Sequence, residues 1–156
     1  MDTTKLLTND QMSRVLVTVR DNNPTMSDSL ACRIVGEAAK FVAAGAQYDV
    51  PMAPSRVVDE GWHALILHTS LYADLCARFG RFVHHHPGYD PTNYDPQILE
   101  RTRAMIERAG YSVDPDLWTA PTDDGIAVAA KCQHAPECAI RPMPTPQPPV
   151  AVAAGA

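Results

Sequence analysis

The stretch Ser55–His68, SRVVDEGWHALILH, decides the fold. Val57, Val58, Trp62, Leu65 and Ile66 recur at the spacing of one helix face, and Ser55 stands where a hydroxyl can accept from the first free amides. The spacing predicts a helix from Arg56 to about His68. The same period recurs along the chain, while no segment alternates strictly between hairpin turns, so an all-α protein is expected.

On the N-terminal side, Ser27 caps a helix carrying Leu30, Ile34, Val35, Ala38, Phe41 and Val42 to about Gln47; its alanine content predicts close packing with its neighbours. Before it, Met12, Val15, Leu16 and Val19 mark a helix from about Asn9 to Arg20, capped by Thr8 or Asn9 and broken at Asn22-Asn23-Pro24. On the C-terminal side, Thr69 opens a helix through Leu71, Tyr72, Leu75, Cys76 and Phe79 that stops at Gly80. The histidines before Pro87 are expected to be extended, because proline excludes the α region from the residue that precedes it. A fifth helix is expected from about Pro96 to Ala109, ended by Gly110, and Tyr111 to Trp118 reads as a short turn docked by its aromatics. The expected architecture is therefore a compact bundle of about five helices over residues 1–120. A Cys/His-bearing segment over 121–139 would be docked on it or tethered to it, and a disordered Pro/Ala-rich tail would occupy 140–156.

The 156 residues are enough for one core, and a formal charge of -5 gives no basic excess to displace counterions from a phosphate backbone, so no nucleic-acid partner is expected. No run reaches the length of a membrane span, and the polar opening lacks the apolar stretch of an export signal. A cytoplasmic location is expected, where the 4 cysteines would serve as metal ligands or packed thiols rather than disulfides.

Chemistry concentrates around the third helix. Asp59 and His63 lie one turn apart on one face, a spacing that lets both reach a single ion, and His84-His85-His86 follows on a returning segment from which alternate rings point to opposite sides. An isolated pair of this kind also serves simply as a hydrogen bond on a helix surface. One carboxylate and two imidazoles form a facial ligand set suited to iron(II) or catalytic zinc, although the same atoms can complete a closed structural site. A second cluster, Cys132, His134 and Cys138, offers two thiolates and an imidazole for a thiophilic ion. Cys32 and Cys76 fall on apolar helix faces as packed thiols. Trp62 reads as core, and Tyr72 as core with a hydroxyl able to reach a carboxylate such as Asp59 or Asp74. Glu60 points away from Asp59, and His68 suits a helix end.

The run from Val58 to Thr69, then Tyr72, Cys76 and Phe79 to Pro87, resembles the glycine-rich domain-containing protein-like family, and Gly110 to Trp118 is similar to its small actinobacterial-type members. The resemblance implies a helical fold and a shared pattern at Asp59, Trp62, His63, Tyr72, Cys76, His84 and His85, with His86 in a variable slot. It implies no reaction. The chain departs from the family name in having only 8 glycines.

Three functions compete on these grounds. The first is a divalent metal binder, zinc or iron, using Asp59, His63, His84 and His85, with Cys132 and Cys138 contributing and Trp62, Tyr72 and Cys76 behind the ligands. The second makes the site catalytic, as a non-haem iron oxidoreductase or a hydrolase. The third is an interaction module whose Pro-rich tail docks on a protein partner.

Overall fold

The computed structural model describes residues 6–86, 95–119 and 126–128, and these form five helices with no strand beyond single bridge residues at Met52 and His86. The helices are α1 (Asn9–Asn22), α2 (Asp28–Gln47), α3 (Arg56–Leu67), α4 (Thr69–Phe79) and α5 (Ile98–Arg108), followed by a 3₁₀ turn, Pro115–Leu117. The all-α expectation therefore holds, with boundaries close to those read from the caps.

Local chemistry sets those boundaries. Thr8 and Gln11 form a reciprocal capping box at the start of α1, and Ser27 and Ser55 accept from Leu30 and Val58 amides to open α2 and α3. The fourth helix differs slightly from expectation: His68, not Thr69, is the joint residue, closing α3 and preceding α4. Its ring sits 2.8 Å from the Thr18 hydroxyl of α1, which fixes the bend. Gly80 ends α4 at φ 128°, a conformation a side chain would strain. The fifth helix starts two residues later than Pro96, because the Asp95 side chain accepts from the Gln97 amide and holds the first residues in a turn.

Helix α2 is the centre of the bundle and packs against all four others. From Ile34 to Ala46 every residue is buried, so this helix is enclosed on all sides rather than on one stripe. Its alanines let the surrounding helices approach closely, and at Gly61 of α3 no side chain would fit: a Cβ there would lie 2.8 Å from the Ile34 carbonyl oxygen. Trp62, Phe41, Ile34, Leu65 and Leu75 fill the space between α2, α3 and α4.

Three features depart from the sequence reading. Cys32 is exposed, since the ends of α2 emerge from the bundle while its middle is covered. Leu6 and Leu7, the two leucines of an opening read as polar, are buried in the core. The enclosed stretch of α2 also contains a charged pair, Glu37 and Lys40, with side chains 2% and 9% exposed. Trp118 Nε1 donates to Glu37 Oε2 at 2.7 Å and Lys40 Nζ donates to the Ser112 carbonyl at 2.7 Å, so the docked turn after α5 completes this network. Val128 is also buried, its carbonyl accepting from Arg56 at 3.3 Å. The Cys132, His134 and Cys138 cluster and the Pro-rich tail lie outside the described residues.

Candidate metal centre

Helix α3 supplies two of the three converging groups. Asp59 lies in the buried stretch of α3 that runs from Val57 to Trp62, and its side chain is 2% exposed. His63, one turn on, is 32% exposed and places Nε2 3.5 Å from Asp59 Oδ2. The third group comes from the segment after Gly80. Val83 is buried and His84 is exposed, so the two-residue alternation of extended backbone brings His85 inward, its Nε2 3.8 Å from Asp59 Oδ1 and 2.8 Å from His63 Nε2. Of the histidine run it is therefore His85 that joins Asp59 and His63. His84 turns outward and packs its ring on Phe82 and His86.

The segment carrying His85 is anchored at several points. Arg81 donates twice to the Gly45 carbonyl, at 3.1 and 3.0 Å, and also reaches the Tyr48 carbonyl and Asp49. Val83 accepts at its carbonyl from the Tyr72 hydroxyl at 2.6 Å, and that hydroxyl accepts from Trp62 Nε1 at 2.9 Å. The Trp62 ring packs on His85 at 4.6 Å between centroids and edge-on against Phe41 at 4.9 Å. Tyr72 thus reaches a backbone carbonyl and an indole, not a carboxylate as its sequence position suggested. Burial, opposed by the Trp62 hydrogen bond, raises the Tyr72 phenol well above its ordinary range, so the hydroxyl keeps the proton it donates. Burial likewise pushes the Cys76 thiol up, and Cys76 stays a packed, protonated thiol outside the Asp/His cluster.

Within the cluster the hydrogen bonding is incomplete. Both carboxylate oxygens of Asp59 are buried without a hydrogen-bond donor among the described residues. The neighbouring imidazole nitrogens, at 3.5 and 3.8 Å, stand beyond the roughly 2.7–2.9 Å of a charge-assisted bond. Glu60, next in sequence, is buried on a different side and accepts from Asn23 Nδ2 at 2.8 Å, a role its sequence position did not reveal.

No helix among the described residues is long and apolar enough to cross a membrane. No curated protein and no solved structure matches the chain. A family model does match, over residues 4–94, which span α1 to α4 and all three converging side chains but not Cys132 or Cys138. This match overturns the resemblance to glycine-rich domain-containing proteins: a motif shared over one helix and its return is short enough to mislead, whereas the model covers more than half of the chain. The chain belongs to the UCP032817-like family.

Proposed function

We propose that the protein binds one divalent transition metal ion, zinc or iron(II), through an Asp59 oxygen, His63 Nε2 and His85 Nε2. The observation that carries this reading is the Asp59 carboxylate, buried with neither oxygen hydrogen-bonded while two imidazole nitrogens converge on it. Burying an uncompensated carboxylate costs several kcal/mol, about as much as a folded domain can spare, so a compensating cation is the economical explanation. His63 Nε2 and His85 Nε2 are 2.8 Å apart and lie 3.5 Å from Asp59 Oδ2 and 3.8 Å from Asp59 Oδ1 respectively, and one ligand atom from each residue lies within 4.8 Å of the other two. Ligands about 2.05 Å from a tetrahedral ion stand about 3.3 Å from one another, and cis ligands of an octahedral ion about 3 Å, so small side-chain adjustments suffice.

Exposure of His63 favours an open site over a closed structural one. Solvent reaches the cluster from that side, as metal-assisted hydrolysis or iron-dependent oxidation requires. Cys132 and Cys138 are not needed for this reading.

Protein purified without a histidine tag is expected to carry, or to take up after chelator treatment, one metal ion per chain. His63→Ala and His85→Ala each abolish that stoichiometry, whereas His84→Ala retains it. Wild-type protein free of metal under saturating zinc and iron(II), or full loading in His63→Ala, removes the proposal. The visible spectrum of the loaded protein separates iron from zinc.

A further inference from the structure

We infer that Tyr72 is a positioning residue for this centre: its hydroxyl ties the segment bearing His85 to helix α3, so that His85 Nε2 stays beside Asp59 and His63. The inference rests on the metal-binding reading and deepens it. Asp59 and His63 share one helix and need no long-range device to remain together. His85 belongs to a different stretch of chain, and its register must be set by contacts outside the cluster.

Among the described residues two anchors stand out, beside a contact of the Cys76 thiol with the Val83 backbone. Arg81 pins the start of the segment to the end of α2, four residues before His85, and there fixes position but not rotation. The Tyr72 hydroxyl engages the Val83 carbonyl, two residues before His85, and at the same time takes the indole proton of Trp62, whose ring packs on the imidazole of His85. The hydroxyl therefore joins the two walls of the site in one chain of hydrogen bonds, Trp62 to Tyr72 to Val83. A rotation of the segment by one residue would bring His84 inward and His85 out, and the Val83 bond resists that slip. A phenol that merely fills core space would be as well served by phenylalanine; here the oxygen is both acceptor and donor, and burial keeps it protonated.

The test uses full-length Tyr72→Phe, which keeps the ring and removes the link. Zinc affinity is read by competition with a chromophoric chelator and site geometry by the visible spectrum of the cobalt(II) form. Zinc affinity is expected to fall about 10- to 100-fold, as for lost support behind a metal-bound histidine, with an altered cobalt spectrum. Ile106→Val, which thins the core at α5 away from the cluster, is expected to leave both readouts unchanged. Site-specific replacement of Tyr72 by 4-aminophenylalanine returns an N–H donor to the Val83 carbonyl and is expected to restore affinity. This variant also carries the test should Tyr72→Phe fail to fold.

Wild-type affinity and spectrum in Tyr72→Phe, or an equal loss in Ile106→Val, overturn the positioning role and leave the metal reading intact. If wild-type protein takes up no metal, the metal reading falls instead. The imidazole resonances of His85 in the metal-free protein then decide the positioning role, and unchanged resonances in Tyr72→Phe overturn it.

Discussion

Gly61→Ala sets two effects of opposite sign against each other at a position between Asp59 and His63. Within a helix, alanine is favoured over glycine by about 1 kcal/mol, so propensity alone predicts a more stable protein. The packing predicts the reverse. The added Cβ would lie 2.8 Å from the Ile34 carbonyl oxygen, 2.9 Å from Ala38 Cβ and 3.0 Å from Ile34 Cγ2. Two of these neighbours are backbone or Cβ atoms of the enclosed α2, which cannot rotate aside. Restoring ordinary contact requires α3 to retreat from α2 by about half an ångström, and overpacking of this kind costs about 1–3 kcal/mol. With rigid neighbours the upper end applies, and the expected net loss is about 2 kcal/mol. The retreat carries Asp59 and His63 with it, while Arg81 pins the start of the segment bearing His85 to α2, so His85 follows only in part through the Tyr72 link. Because a ligand set must be held within about half an ångström of its productive geometry, a retreat that reaches this limit should lower zinc affinity about tenfold as well. Urea denaturation of the metal-free protein measures the first effect and chelator competition the second. A Gly61→Ala protein as stable as wild type, or more so, would show that α3 and α2 are not in the close contact on which this account depends.

Other perturbations probe different parts of the structure. Asp59→Asn removes a buried charge whose oxygens accept no hydrogen bond, so the metal-free variant should be more stable than wild type by about 1–3 kcal/mol. Its melting temperature should no longer rise with added zinc, and a destabilised metal-free Asp59→Asn would mean that the carboxylate is compensated in some other way. Lys40→Met strands the Glu37 carboxylate inside the bundle and should cost about 3–5 kcal/mol in urea unfolding; a change below 1 kcal/mol would show that the pair is solvated. Asp114 is held below the ordinary carboxylate range by the hydrogen bond from Arg33, so its contribution is present at neutral pH and lost as pH falls through the lowered folded-state value. Asp114→Asn should therefore be less stable than wild type at neutral pH and indistinguishable from it in acid below that value. A difference that persists undiminished into acid would refute the linkage.

How much of this was legible in the sequence depends on how local each feature is. Asp59 and His63 could be paired from spacing alone, since four residues on one helix fix their common face. The choice among His84, His85 and His86 could not be made in the same way. Alternation says that neighbours face opposite sides but not which parity is inward, and that parity is set by the burial of Val83 under the Tyr72 hydroxyl. Glu37 and Lys40 resemble a solvated helix pair at i,i+3; only the docking of Trp118 and Ser112, more than 70 residues later, makes them interior. Cys32 erred in the opposite direction, because the helix period gives its face but not that α2 leaves the core near its start. Glu60 shows the same limit: its 100° offset from Asp59 correctly turns it away from His63, and the space it turns into is closed by Asn23 of the α1–α2 connection.

The placement of the Asp/His cluster bears on why such a site would persist in a small bundle. Asp59 lies in the first turn of α3, where the free amides of the helix N-terminus favour negative charge and reduce, without cancelling, the cost of its burial. The remainder of that cost falls on α3, which is also pressed against α2 at Gly61. A helix with so much packing can hold a buried carboxylate without hydrogen bonds that a surface helix would release to solvent. The rigidity that tolerates the buried charge is also what would keep an ion's ligands in place, so stability spent at Asp59 and precision gained at His63 arise from one contact between two helices. Loosening that contact should relieve the carboxylate and weaken the metal site together, which is the correlation that Gly61→Ala and Asp59→Asn, measured side by side, would reveal.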